Sequence, residues 1–154
     1  MNYFISLGFS LLMLACNLKK DLNTPSNELL SESTTQTNEI KEEYIMIDHA
    51  ELNYTLAQTT TSMSAKEVMK LYYPQEVESQ EGNEILTIQE KALENGNIIV
   101  TLIHDNFLDD SLKGEKHVME LQLNNNKWSI VTLKKNWKCW EGRGHTNWGI
   151  EPCL

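Results

Sequence analysis

The spacing of hydrophobic positions changes near the middle of the chain. Upstream of Gly82, Val68, Leu71 and Tyr72 recur at helical spacing behind Ser64-Ala65-Lys66-Glu67. That tetrad predicts a capping box, in which the Ser64 hydroxyl and the Glu67 carboxylate each accept from a free amide of the first turn. Pro74 ends the segment, because proline cannot continue a helix. A weaker helical signal covers residues 48–58, with Asp48 as cap and Glu51 three residues on, and the run Thr59-Thr60-Thr61 breaks it. Downstream the period falls to two. Residues 84–93, 97–104, 115–123 and 128–135 are rich in Ile, Leu, Val and Thr and read as strands. Glu94-Asn95-Gly96 and Asn124-Asn125-Asn126 separate the first and last pairs, and links this short favour antiparallel neighbours. The pattern predicts an α+β fold in which one or two short helices cover a four-stranded antiparallel meander. In the third strand Met119, Leu121 and Leu123 are expected to face the core, and Val118, Glu120 and Gln122 to face away.

Ahead of this region lies an apolar run of roughly 13 residues from Tyr3 to Ala15, short of the ~20 needed to span a bilayer. It carries no charge and no proline, as in the apolar part of a secretory signal. The run closes on Leu12-Met13-Leu14-Ala15-Cys16. These residues resemble the lipobox of bacterial lipoproteins, in which a small residue precedes a cysteine that becomes acylated on sulfur and on its new amino terminus. The resemblance implies a signal peptide over residues 1–15, cleavage before Cys16, and anchoring by more than one acyl chain, which holds a protein stably at a membrane. An ordinary cleaved leader and a buried amphipathic start are the alternatives. Residues 17–43 are dominated by Asn, Ser, Thr, Glu and Lys. Such a composition buries too little surface to offset chain entropy, so residues 16–43 are expected to form a lipidated, disordered tether. As a random coil it spans on the order of 26 to 31 Å. Residues 44–154 then make a single domain.

The chain has three cysteines. With Cys16 taken by lipid, Cys139 and Cys153 are left to pair with each other, which places the domain in an oxidising compartment; two free thiols are the alternative. The segment between them reads Cys139-Trp140-Glu141-Gly142-Arg143-Gly144-His145-Thr146-Asn147-Trp148-Gly149-Ile150-Glu151-Pro152-Cys153. It resembles a C-terminal signature, C-x-x-G-R-G-H-x-x-W followed by a last Cys, of uncharacterised secreted bacterial proteins. The resemblance implies a shared tail structure and no established activity. The order of elements in the body of the domain looks like that of the cystatin-like and NTF2-like families, a likeness of general shape that does not carry function.

Charge sharpens the picture. The chain has 22 acidic residues against 13 Lys and Arg, for a net charge of -9. Lys127, Lys134, Lys135, Lys138 and Arg143 nevertheless gather in the last stretch, together with all four tryptophans. An acidic body argues against nonspecific nucleic-acid binding, which rests on neutralising phosphates, and is repelled by anionic headgroups. No nucleophile elbow, phosphate-cradling glycine loop or C-x-x-C pair occurs, so no catalytic residue and no cofactor is assigned. Asp109, Ser111, Gly114 and Glu120 fall on EF-hand offsets, but Lys113 occupies a ligand position and Lys116 an apolar one, so no metal site is assigned. A looser cation site at Asp105, Asp109 and Asp110 competes with an ordinary polar connection.

The candidate ligand-binding residues are Trp140, Arg143, His145 and Trp148. Arg143 can offer a bidentate fork to a carboxylate or phosphate, or stack on Trp140 or Trp148 and hold the loop. His145 can serve as acid, base or ligand, or as a hydrogen-bonded loop residue. The sequence therefore leads to a lipid-anchored domain of the bacterial cell envelope, facing the periplasm or exterior, that binds a protein, glycan or small molecule without catalysis. An envelope hydrolase pairing His145 with a carboxylate such as Glu141 or Asp109, and a purely structural envelope or assembly protein, are the competing readings. Replacing Cys16 by Ser is expected to abolish incorporation of labelled palmitate and to move the protein from the membrane to the soluble fraction; incorporation that survives the substitution would remove the lipobox reading.

Overall fold

The computed structural model describes residues 42–77 and 83–154. The leader, Cys16 and the tether as far as residue 41 lie outside the described residues. The elements are β1 (Ile45–Met46), α1 (Ala50–Gln58), α2 (Ala65–Tyr72), β2 (Ile85–Ala92), β3 (Ile98–Asp105), β4 (Leu112–Asn124) and β5 (Lys127–Cys139). The strands form one antiparallel sheet in the order β1-β5-β4-β3-β2, with both helices on one face. The α+β class and the meander stand, but the four expected strands become five. β1 is only two residues long and arises by pairing Ile45 and Met46 with Lys135 and Lys134, so no period-two pattern announces it. β4 and β5 also run well past the expected bounds, to 13 residues each.

Local chemistry accounts for the helix α2. Its capping box forms as the sequence implies: the Ser64 backbone N–H donates to Glu67 at 2.6 Å, and the Glu67 N–H donates to the Ser64 hydroxyl at 3.3 Å. The buried stripe is Ala65, Val68 and Met69, with Tyr72 partly covered, which is the i, i+3, i+4, i+7 spacing of a two-turn helix. Leu71, expected on the core face, lies off that stripe and is 43% exposed. In α1 the cap falls on His49, one residue past the expected Asp48, and the Asp48 carboxylate instead accepts from the Ala50 N–H at 3.0 Å.

Between the helices and the sheet lie Leu56, Ala65, Val68, Met69, Val100, Leu102, Met119, Leu121, Ile130 and Leu133. Register explains the set. Val100 stands opposite Met119 and Met119 opposite Leu133, so three central strands each give one residue to the same layer. A bulge where Glu120 meets Thr132 and Leu121 meets Ile130 inserts Val131 as the extra residue. It brings Ile130 and Leu133, three apart, onto the core side and leaves Val131 44% exposed. Met119 and Leu121 face inward as expected, whereas Leu123, opposite Trp128 at the end of β4, is 47% exposed. That tip is a two-residue turn in which Asn125 (φ 50°) and Asn126 (φ 60°) both take the left-handed conformation that favours asparagine.

The outer edge of β5 is closed in pieces. The Ile47 N–H donates to the Leu133 carbonyl at 2.8 Å, next to the β1 pairing. Further along, the Asn53 side chain of α1 takes the place of a strand. Its amide donates to the Ile130 carbonyl at 3.0 Å and its oxygen accepts from the Ile130 N–H at 2.7 Å. At the other end Trp137 exchanges two backbone bonds with Gly149, and the Cys139 N–H donates to the His145 carbonyl at 2.8 Å. Glu42 and Glu43, assigned to the tether, already contact the sheet: Lys116 donates to Glu42 at 2.7 Å, and the buried Asn136 amide donates to the Glu43 carbonyl at 2.9 Å. Leu102 is fully buried at the centre of the sheet. Its replacement by Ala is expected to lower the free energy of unfolding by about 2–5 kcal/mol in urea titrations without changing the slope of the transition.

Candidate functional site

The expected pairing of Cys139 and Cys153 is present, with Cα atoms 5.6 Å apart and 14 positions separating them. A closed loop of this length constrains the unfolded chain by about 3 kcal/mol. The loop straddles the edge of β5. Gly149 pairs with that edge, and Trp148 lies over the outer face of the sheet between the ammonium groups of Lys116 and Lys138, 4.5 and 4.8 Å from its ring centre. Lys138 in turn donates to Asp105 at 2.7 Å. The backbone imposes one strict requirement: Gly144 has φ +143°, and a Cβ there would lie 2.8 Å from the Cys139 sulfur.

The four candidate residues occupy different situations. The Trp140 indole N–H donates to the Asp109 carbonyl at 2.8 Å, and Lys113 stands over its ring. The two ring nitrogens of His145 lie 2.7 Å from the Asn147 carbonyl and 2.8 Å from the Glu151 carbonyl. Among the described residues no carboxylate oxygen lies within 4.0 Å of the His145 ring nitrogens. The Asp109 carboxylate instead accepts from Ser111 and from the Leu112 N–H at 2.6 Å, and those backbone N–H groups hold it below the ordinary carboxylate range. Trp148 is the filling of the lysine sandwich. Arg143 sits at the outer turn; its backbone is tied at both ends, to Trp140 and Leu154, and its guanidinium forms no ion pair or hydrogen bond among the described residues.

A second cluster, not anticipated from the sequence, occupies the inner face at the end of the core. There the core layer turns polar: Leu102 pairs with His117, and His104 with Glu115. The last turn of α2 brings two tyrosines over them. The Tyr72 hydroxyl is 3.2 Å from His117 Nδ1, and the Tyr73 hydroxyl is 2.8 Å from His104 Nδ1. Glu115 contacts His117 Nε2 at 3.2 Å and accepts from Lys135 at 3.0 Å. Phe107 packs edge-on against the His104 ring, with centroids 4.3 Å apart. His104 is 4% exposed, and among the described residues its Nε2 has no hydrogen-bond partner; a Glu84 carboxylate oxygen lies 4.0 Å away. Beside it opens a cleft of about 430 Å³.

Burial and neighbours set the protonation of this cluster. The hydrogen bond to His117, helped by Lys135, outweighs burial and holds Glu115 at about 2. Burial, reinforced by Glu115, Tyr72 and Glu84, pushes Tyr73 up to about 12, so its hydroxyl keeps its proton at neutral pH. Burial also lowers His104 from its usual value against the pull of Glu84 and Glu115, which favours the neutral ring. The arrangement can hold a polar ligand; among the described residues no three metal-ligating side chains converge, and the Asp105, Asp109 and Asp110 carboxylates do not form a shared site.

Scattered histidines gave no motif to read. The available signal was one of phase: Leu102 and His104, and Glu115, His117, Met119 and Leu121, alternate onto one face, so polar residues occur in step with the core. No protein-family model matches the chain, and neither a curated protein nor a solved structure is detectably similar to it.

The cluster makes stability depend on pH in a definite direction. Glu115 is depressed from 4.5 to about 2 on folding, so its contribution is complete above about 4.5 and is lost as the pH falls toward 2, by about 3 kcal/mol. His104 is depressed below 6.5, so its contribution is present above that value and is lost as the pH drops through it. Urea denaturation from neutral pH downward should show both losses, and Glu115→Gln should flatten only the more acidic one.

Proposed function

We propose that this chain is a noncatalytic, lipid-anchored domain of the bacterial cell envelope that captures a protein, glycan or small ligand at the outer turn of its disulfide-closed loop. The body is an α+β unit whose element order we read as cystatin-like or NTF2-like, and the order itself confers no activity. Among the described residues no helix is long and apolar enough to cross a membrane, and the anchor of this reading is the acylated Cys16. The disulfide is of the kind that persists outside the cytoplasm.

One observation carries the binding reading. Within a loop whose Trp, Gly and His residues are engaged in holding the turn, Arg143 leaves its guanidinium exposed and unpaired among the described residues. Its backbone is fixed on both sides, so little order has to be acquired on binding, and its fork suits a carboxylate or phosphate. Arginine on a preorganised loop is also a residue type enriched among binding hot spots.

Arg143→Ala should leave the melting temperature unchanged, within the ±0.5 kcal/mol typical of surface changes, while abolishing retention of envelope components by the tagged protein. Arg143→Lys should fail in the same way if the fork is what is read. A fall in melting temperature with retention preserved would instead assign Arg143 to the loop's architecture.

A further inference from the structure

Independently of Arg143, the cleft beside His104 has the chemistry of a receptor for a positively charged group. Glu76, Glu84, Asp109 and Glu115 line it, and none of its described lining residues is Lys or Arg. Glu115 is neutralised by Lys135, but among the described residues Glu76 and Glu84 pair with no lysine or arginine. Acidic walls alone would not define a site. The second feature is the buried imidazole of His104, whose Nε2 has no partner among the described residues although its other nitrogen is held by Tyr73. Nε2 is itself closed to solvent, so a ligand reaches it only with a small side-chain adjustment, and bonding to it removes the cost of a buried nitrogen left unbonded.

The geometry selects the ligand's shape. When the Tyr73 hydroxyl accepts from Nδ1–H, the neutral ring presents its lone pair at Nε2. Nε2 and the Glu84 oxygen are 4.0 Å apart. A donor nitrogen at hydrogen-bond distance from both sees them at an angle of about 90°, near the tetrahedral spread of an ammonium group's N–H bonds. Phe107 and Tyr73, both edge-on to the His104 ring, add aromatic surface to the lining, as cation recognition favours.

We propose that this cleft binds a primary ammonium group, held between Glu84 and His104 Nε2 with Glu76 adding to the field. The group can belong to a small amine or to a lysine side chain.

The test uses the full-length protein with 15N-labelled histidine, titrated at constant pH and ionic strength with n-butylammonium, with Nα-acetyl-lysine amide, and with sodium chloride as control. Both amines are expected to shift the His104 ring resonances saturably, and the salt is not. Tighter binding of the lysine derivative assigns a peptide source, and tighter binding of the alkylamine a small free amine. Glu84→Gln should weaken binding about tenfold or more, as loss of a charged partner does, with an unchanged thermal transition. Glu76→Gln, at an exposed position, should weaken it less and serves if the first variant is unstable. His104 resonances that respond no differently to the amines than to sodium chloride, or Gln variants that bind as tightly as the parent, would overturn the assignment. Loss of envelope capture in Arg143→Ala does not bear on it.

Discussion

The constraint on which the rest of the fold turns is the free edge of β5. A strand of 13 residues with one side unpaired offers a row of backbone groups to any passing chain. Among the described residues no sixth strand covers it. The protein uses three devices instead: the pairing of β1, continued by the Ile47 bond to Leu133, the side-chain amide of Asn53, and the return of the tail at Gly149 and His145. Each satisfies a different stretch, and each draws a distant part of the sequence onto the same line. The position of α1 follows from this, because Asn53 reaches Ile130 only if the helix lies against the sheet where Leu56 joins the core.

The tail serves that edge before it serves anything else. Gly144 sits against the Cys139 sulfur, the Gly149 backbone pairs with Trp137, the His145 ring spans two carbonyls, and Trp148 fills the space between Lys116 and Lys138. A motif rich in Trp, Gly and His can therefore owe most of its composition to geometry. The same tail also shapes the cleft, because the Trp140 N–H groups donate to the Ser111 and Asp109 carbonyls and so hold the turn on its rim. The two candidate surfaces thus share a support while differing in charge.

Much of this was legible where the cause is local. The capping box at Ser64, the turn at Asn125 and Asn126, and the period of β3 depend on neighbours in sequence, and the chain states them directly. β1 was not legible because two residues carry no period, and Leu123 departs from the expected core face because alternation says which side a residue takes but not how well that side is covered at the strand's end. The bulge at Val131 breaks phase without a glycine to mark it. The cluster around His104 needs α2, β2, β3 and β4 to converge, so no window of sequence contains it. The candidate loop residues could be named from their types, but only packing separates Arg143, whose side chain is unengaged among the described residues, from the three with evident internal duties.

The sulfur bridge has a consequence for biogenesis. Until Cys139 and Cys153 join, the returning segment is tethered at one end only, and the last part of the outermost ladder stands open. Oxidation thus governs that margin: a reduced chain leaves the segment fastened at one end only, and joining the two sulfurs closes it.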